Sequence, residues 1–122
     1  MPKGVKIIVD TNFLIDIVRF KINLESLNEF GKYKLIIPKA VENELKKIKN
    51  KYARVAIELT KLKGMEIVDN PVGIKTTDEI IIALAKELKA AVATNDRKLR
   101  KRLKGLRIKT IYLRARKHLE IG

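Results

Sequence analysis

Short apolar runs alternate along the chain with segments whose apolar residues recur at helical spacing. Val5–Val9 (VKIIV) is rich in β-branched residues and predicts a strand. Asp10-Thr11-Asn12 follows, three residue types that cap helices, and Phe13, Leu14, Ile17 and Val18 then repeat with a helical period. A short helix over about 24–30, with Leu24, Leu27 and Phe30 apolar, stops at Gly31. Tyr33–Ile37 predicts a second strand. Pro38 opens a helix reaching about Asn50, with Val41, Leu45 and Ile48 on one face. Another helix, near 52–63, carries Val55, Ala56, Leu59 and Leu62 and stops at Gly64. Met65–Val68 is the third strand, and Asp69-Asn70-Pro71 with Gly73 makes a turn-rich loop. A helix over about 77–89 follows, faced by Ile81, Leu84, Ala85 and Leu88, and Thr76 with Glu79 has capping-box spacing. Ala91–Thr94 is the fourth strand. Asn95-Asp96 caps a basic helix over about 97–104, Gly105 ends it, and Ile108–Leu113 is the fifth strand.

Strands that alternate with helices imply an α/β fold: a central, mostly parallel sheet of four or five strands inside three α/β/α layers. Such sheets bind ligands beyond the carboxyl ends of their strands. A chain of 122 residues suits a single domain over 1–122, and the basic end from about Arg114 is expected as a tail. No apolar run approaches the roughly 20 residues of a membrane span. The start, Met1-Pro2-Lys3-Gly4, passes at once into the first strand, which predicts no secretory leader and a cytoplasmic protein.

Composition narrows the chemistry. Cysteine is absent, which excludes disulfides, zinc-thiolate sites and thiol nucleophiles. Serine and histidine occur once each, at Ser26 and His118, with no nucleophile elbow around either. Carboxylates are what remains. A charged content of 34% without Cys or Gln resembles a thermophile's composition. Net charge is +14, and residues 97–122 hold eleven bases against one acid, so +10 of it lies there. Ion-pair networks need both signs, so a one-sided segment points to a polyanion partner.

Four acids fall where the sheet's carboxyl edge is expected. Asp10 directly follows the first strand and Asp96 the fourth. Glu44 lies early on the helix after the second strand, and Asp78 in the first turn of the helix after the third. Each has a purely structural alternative: Asp10 and Asp96 as helix caps, Asp78 as a first-turn acid, Glu44 as a solvated partner of Lys47. Gathered on one rim they would repel, and hard divalent ions with oxygen preference are the natural compensation. A metal so held can activate water against a phosphodiester, a reaction that needs no covalent nucleophile.

The surroundings of these acids carry a resemblance. V-D-T-N (Val9–Asn12), V-E-N-E-L (Val41–Leu45), D-E-I-I-I-A-L-A (Asp78–Ala85) and V-A-T-N-D-R-K-L (Val92–Leu99) resemble, in order and spacing, the blocks of a PIN domain over nearly the full length. The ending I-K-T-I-Y-L-R-A-R-K looks like small archaeal members, Fcf1/Utp24-like or VapC-like. The resemblance implies one or two Mg²⁺ or Mn²⁺ ions and cleavage of single-stranded RNA to a 3′-hydroxyl and a 5′-phosphate. It assigns Asp10, Glu44, Asp78 and Asp96 as metal-binding and catalytic carboxylates, and Asn12, Thr94 and Asn95 as polar groups that orient them. Relatives of the Fcf1 kind often carry paired aspartates where this chain has Thr77-Asp78, so Thr77 removes one ligand.

Arg97, Lys98, Arg100 and Lys101, with Lys47, Arg114 and Arg116, are the expected phosphate contacts. Lys46, Lys49, Lys51 and Arg54 extend a second basic cluster after Glu44. Three Phe and three Tyr leave little scope for base stacking. The cellular role divides between rRNA processing and toxin-like RNA cleavage, the latter with an antitoxin partner; a homodimer fits the family. Two other classes are a non-catalytic RNA-binding scaffold and a nuclease for structured DNA, for which the chain lacks the added modules.

Overall fold

Each expected strand forms, in a sheet one strand larger than expected. The computed structural model describes residues 4–122; Met1–Lys3 of the expected leaderless start lie outside them, as does the side chain of Phe30. The strands are β1 (Val5–Val9), β2 (Tyr33–Pro38), β3 (Glu66–Val68), β4 (Ala91–Ala93), β5 (Thr110–Arg114) and β6 (His118–Ile121). They form one sheet in the order β3-β2-β1-β4-β5-β6, parallel except that β6 runs antiparallel to β5. The helices are α1 (Thr11–Arg19), α2 (Lys39–Lys47), α3 (Lys51–Leu62), α4 (Thr77–Leu88) and α5 (Arg97–Gly105), with a 3-10 helix over Leu24–Phe30.

The chain winds outward from β1 to β2 and β3, then returns to lay β4 on the other side of β1 before adding β5. Right-handed crossovers in the two directions place helices on opposite faces. The carboxyl ends of β1 and β4, where the winding reverses, form the switch point at which such sheets bind ligands. The core around them is continuous and aliphatic: Ile7, Ile8, Val9, Leu35, Ile36, Ile37 and Val92 from the strands meet Phe13, Leu14, Val41, Leu45, Ile81 and Leu99 from the helices.

Two segments depart from expectation. The chain beyond Arg114 is no tail: Arg114 pairs with His118 and Ile111 with Ile121 across a hairpin. Its turn passes through Ala115 and Arg116, both at positive φ (53° and 56°), without the Asn-Gly signature of such turns. On α3 the buried positions are Ala53 and Ala56, whereas Val55 and Leu62 are 51% and 82% exposed. The buried face of α3 is therefore rotated from the expected one; Asn50 caps the helix, its side chain accepting from the Ala53 N–H at 2.8 Å. That cap also ends α2 at Lys47, short of the expected Asn50.

Candidate functional site

The carboxyl rim is assembled from the residues that follow β1 and β4, the second turn of α2 and the first turn of α4. Asp10 lies at the end of β1, its backbone N–H donating to Ala93 of β4 at 2.9 Å, so the strand pairing itself sets its place. Its side chain is 5% exposed. One carboxylate oxygen accepts from the Thr11 N–H (2.8 Å) and the other from the Thr94 hydroxyl (2.8 Å). Burial pushes the Asp10 carboxyl up to about 6; the bonds from Thr94 and Thr11 pull it down, and the charges of Asp78 and Glu44 add to the rise.

Glu44, half-buried on α2, is held at both oxygens. Oε1 accepts from the Thr11 hydroxyl at 2.5 Å and Oε2 from the Thr77 hydroxyl at 2.6 Å. These bonds tie α2 to the starts of α1 and α4, and they replace the solvated pairing with Lys47 that helix spacing alone suggested. Asp78 is half-buried in the first turn of α4. Its carboxyl is also raised, first by burial, then by Asp96, with Arg102 opposing and Glu44 and Glu79 adding. Asp96 caps α5, one oxygen accepting from the N–H groups of Lys98 (2.9 Å) and Leu99 (3.3 Å). Its own N–H donates to the Thr94 hydroxyl at 3.2 Å, so one hydroxyl links Asp96 to Asp10.

The four acids therefore meet on one rim, and each feels at least one other. Of the three expected orienting groups, only Thr94 touches one of the four carboxylates. Asn12 Oδ1 accepts from the Asn95 N–H at 3.1 Å. The Asn95 side chain donates to Asp16 (2.9 Å) and accepts from the Leu113 N–H (2.8 Å). Those two asparagines fix the β4–α5 loop rather than the acids. Sequence reasoning passed over Thr11 as more than a cap, Thr77 as more than a lost ligand, and Asp16 altogether. Adjacency of Thr11 to Asp10 and of Thr77 to Asp78 was the signal available for two of them.

The donor set suits a hard divalent ion: carboxylates, hydroxyls and no sulfur or imidazole. Among the described residues, no group of three or more His, Asp or Glu side chains is placed to hold a metal ion as it stands. Asp78 accepts no hydrogen bond from another described side chain or backbone N–H and Asp96 engages one oxygen, so both retain free ligand atoms.

Of the expected phosphate contacts, Arg97, Lys98 and Lys101 on α5 are exposed, as is Lys47 at the end of α2. Arg102 reaches across to Glu79 (2.7 Å). Arg100 stacks on the Tyr112 ring at 3.9 Å. Arg114 pairs with Glu120 (3.1 Å), and the Arg116 guanidinium lies 5.2 Å from the Phe20 ring centre. The last two expected phosphate contacts are thus engaged within the protein. No helix among the described residues is long and apolar enough to cross a membrane.

Known proteins share this fold. Residues 7–116 match the family model described as a PIN like domain. The chain is 34% identical over 130 aligned positions to "Ribonuclease VapC4" of Methanocaldococcus jannaschii, spanning 95% of each. The structure of the PIN domain endonuclease Utp24 superposes with a TM-score of 0.84 at 25% identity, covering 96% of this chain and 90% of that one. A domain of a functionally unknown protein from Methanocaldococcus jannaschii shares the fold at a TM-score of 0.61 and 24% identity, over 92% and 93% of the two chains. With the rim, the topology and these likenesses together, the chain belongs to the PIN-domain family.

Proposed function

We propose that this chain is a divalent-metal-dependent endoribonuclease acting on single-stranded RNA. The single observation that carries the proposal is the meeting of Asp10, Glu44, Asp78 and Asp96 at the β1/β4 switch point, with two of the four carboxyls raised by burial and mutual repulsion. An acidic rim this crowded is stabilised by a bound cation. The likeness to a protein named a ribonuclease and to a PIN domain endonuclease supports the same chemistry.

Asp10, Glu44, Asp78 and Asp96 would hold Mg²⁺ or Mn²⁺. Bound there, such an ion would supply charge neutralisation at the scissile phosphate and would acidify a water; the expected products are a 3′-hydroxyl and a 5′-phosphate. The chain's own groups do the positioning. Thr94 holds Asp10 and the start of α5 in one register. Thr11 and Thr77 fix the plane of the Glu44 carboxylate from two sides. Arg97 and Lys98, exposed in the turn of α5 that Asp96 caps, and Lys47, exposed one turn beyond Glu44 on α2, are the cations to grip phosphates flanking the cut. The role is rRNA processing or toxin-like RNA cleavage, and an antitoxin partner goes with the second.

The test is cleavage of labelled single-stranded RNA and DNA in Mn²⁺ and in EDTA, wild type beside Asp96→Asn. RNA cleavage that needs Mn²⁺ and disappears in the variant is expected. Binding without cleavage in every metal would replace this proposal with the non-catalytic scaffold. Cleavage that outlasts both EDTA and the substitution would mean a different source.

A further inference from the structure

One face of α5 is cationic for its whole length and meets no acid. Arg97, Arg100, Lys101 and Lys104 fall at i, i+3, i+4 and i+7, a single helical stripe, while Leu99 and Leu103 are buried on the other side. Like charges at these spacings destabilise a helix. Among the described residues, the only ion pair on α5 is that of Arg102 with Glu79, which lies off the stripe. The stripe lines an open groove of about 250 Å³ whose other wall is Thr110 and Tyr112 of β5 with Gly122.

Within the groove one cation is held in place. The Arg100 guanidinium lies 3.9 Å from the centre of the Tyr112 ring. Tyr112 is fixed in turn: its hydroxyl donates to Glu120 at 3.1 Å, and a Cβ at Gly122 would stand 2.9 Å from its Cε1. A stacked guanidinium keeps its N–H edge for two oxygens of a phosphate and has already lost the freedom that binding would remove. Glu120, the acid nearest this end, is occupied by Tyr112, Arg114 and His118.

From Asp96 to Lys104 the helix rises about 12 Å. We propose that the α5–β5 groove is a phosphate track for single-stranded polynucleotide, running from the acidic rim along two turns of α5, with Tyr112 as the positioning residue for Arg100. The direction of the track toward a cut rests on the nuclease reading; the binding itself does not.

The experiment measures binding of a labelled single-stranded RNA in EDTA across a KCl series, so that no cleavage intervenes. The variants are Arg100→Gln/Lys101→Gln/Lys104→Gln together, and a matched set at the opposite end of the sheet, Lys6→Gln/Lys32→Gln/Lys89→Gln. For single strands the salt slope falls by about 0.7 for each phosphate that is no longer neutralised, so the groove set should lower it by about 2. The opposite set should leave it near the wild-type value. Tyr112→Leu should weaken binding and add nothing once Arg100 is Gln, while Tyr112→Phe keeps the ring and the affinity. Equal slopes in both triple variants, or a Tyr112→Leu effect undiminished without Arg100, would overturn the track. Wild type that binds with the expected slope yet cuts nothing in Mn²⁺ would leave the track standing and remove the nuclease.

Discussion

Replacing Asp10 by Asn should stabilise the metal-free protein at neutral pH while destroying its activity. In the folded chain the carboxyl titrates at about 6, against 3.8 for the free group, chiefly because it is buried. Between those values the folded state binds more protons than the unfolded one, so stability is highest below about pH 4 and is lost as pH rises through about 6. A difference of about 2 units corresponds to about 3 kcal/mol at pH 7 and above. Asn carries no charge and removes this loss. Its Oδ1 can still accept from Thr11, and its amide can donate to the Thr94 oxygen, which already accepts from Asp96. The Thr94 proton must then turn toward Asn12, a poor bond at 3.5 Å, which trims the expected gain to about 1–2 kcal/mol. Thermal unfolding in EDTA from pH 4 to 8 reads the effect: the two profiles should cross, with Asp10→Asn the lower near pH 4, where only the lost Thr94 bond counts, and the higher above pH 6. Added Mn²⁺ should raise the wild type and not the variant. A variant less stable at every pH, or two parallel pH profiles, would refute the argument from burial and repulsion.

Other consequences are open to equally direct checks. Thr77→Val removes one of two hydroxyls on Glu44 and should cost about 1 kcal/mol in urea unfolding, with a larger fractional loss in kcat than in KM. Thr77→Asp places a further carboxylate beside Glu44; it should destabilise the chain in EDTA and increase the stabilisation gained from Mn²⁺. Asn95→Ala cuts the ties of the β4–α5 loop to Asp16 and Leu113 and should cost about 2 kcal/mol, seen as a lower midpoint at unchanged m. Arg102→Ala breaks an exposed pair with Glu79 and removes a cation near the half-buried Asp78, and should change stability by less than about 1 kcal/mol.

Most of the architecture could be read from the chain because its local signals agree with its global ones. β-branched runs, side-chain caps and helical periods mark the same boundaries, and four of the five parallel strands carry buried apolar residues along the chain. The missed strand β6 illustrates the opposite. His118–Ile121 alternates weakly, buries only Leu119 fully, and follows a turn made by Ala115 and Arg116 in a conformation those residues seldom adopt. Nothing local announces it; pairing with β5 pays for the turn. The face of α3 was misjudged for a related reason: short alanines, not Val55 and Leu62, allow it to approach its neighbours.

The rim was legible in its four acids and not in what holds them. Position after a strand or early on the helix that follows one is a sequence property, and it put Asp10, Glu44, Asp78 and Asp96 on the same edge. Which hydroxyl meets which carboxylate depends on how α1, α2 and α4 converge, so the Thr11–Glu44–Thr77 bridge has no signature in one dimension. The same limit hid the engagement of Arg114 and Arg116, which read as free cations until the hairpin brought Glu120 and Phe20 beside them.

The central claim is that these carboxylates take up a divalent ion together. Titration of the free chain with Mn²⁺, followed by electron paramagnetic resonance, tests it without any substrate, for wild type, Glu44→Gln and Asp96→Asn. Saturable uptake by the wild type, weakened at least about 10-fold by either substitution, is the predicted result. Identical uptake by all three proteins would place the ion elsewhere and contradict the account.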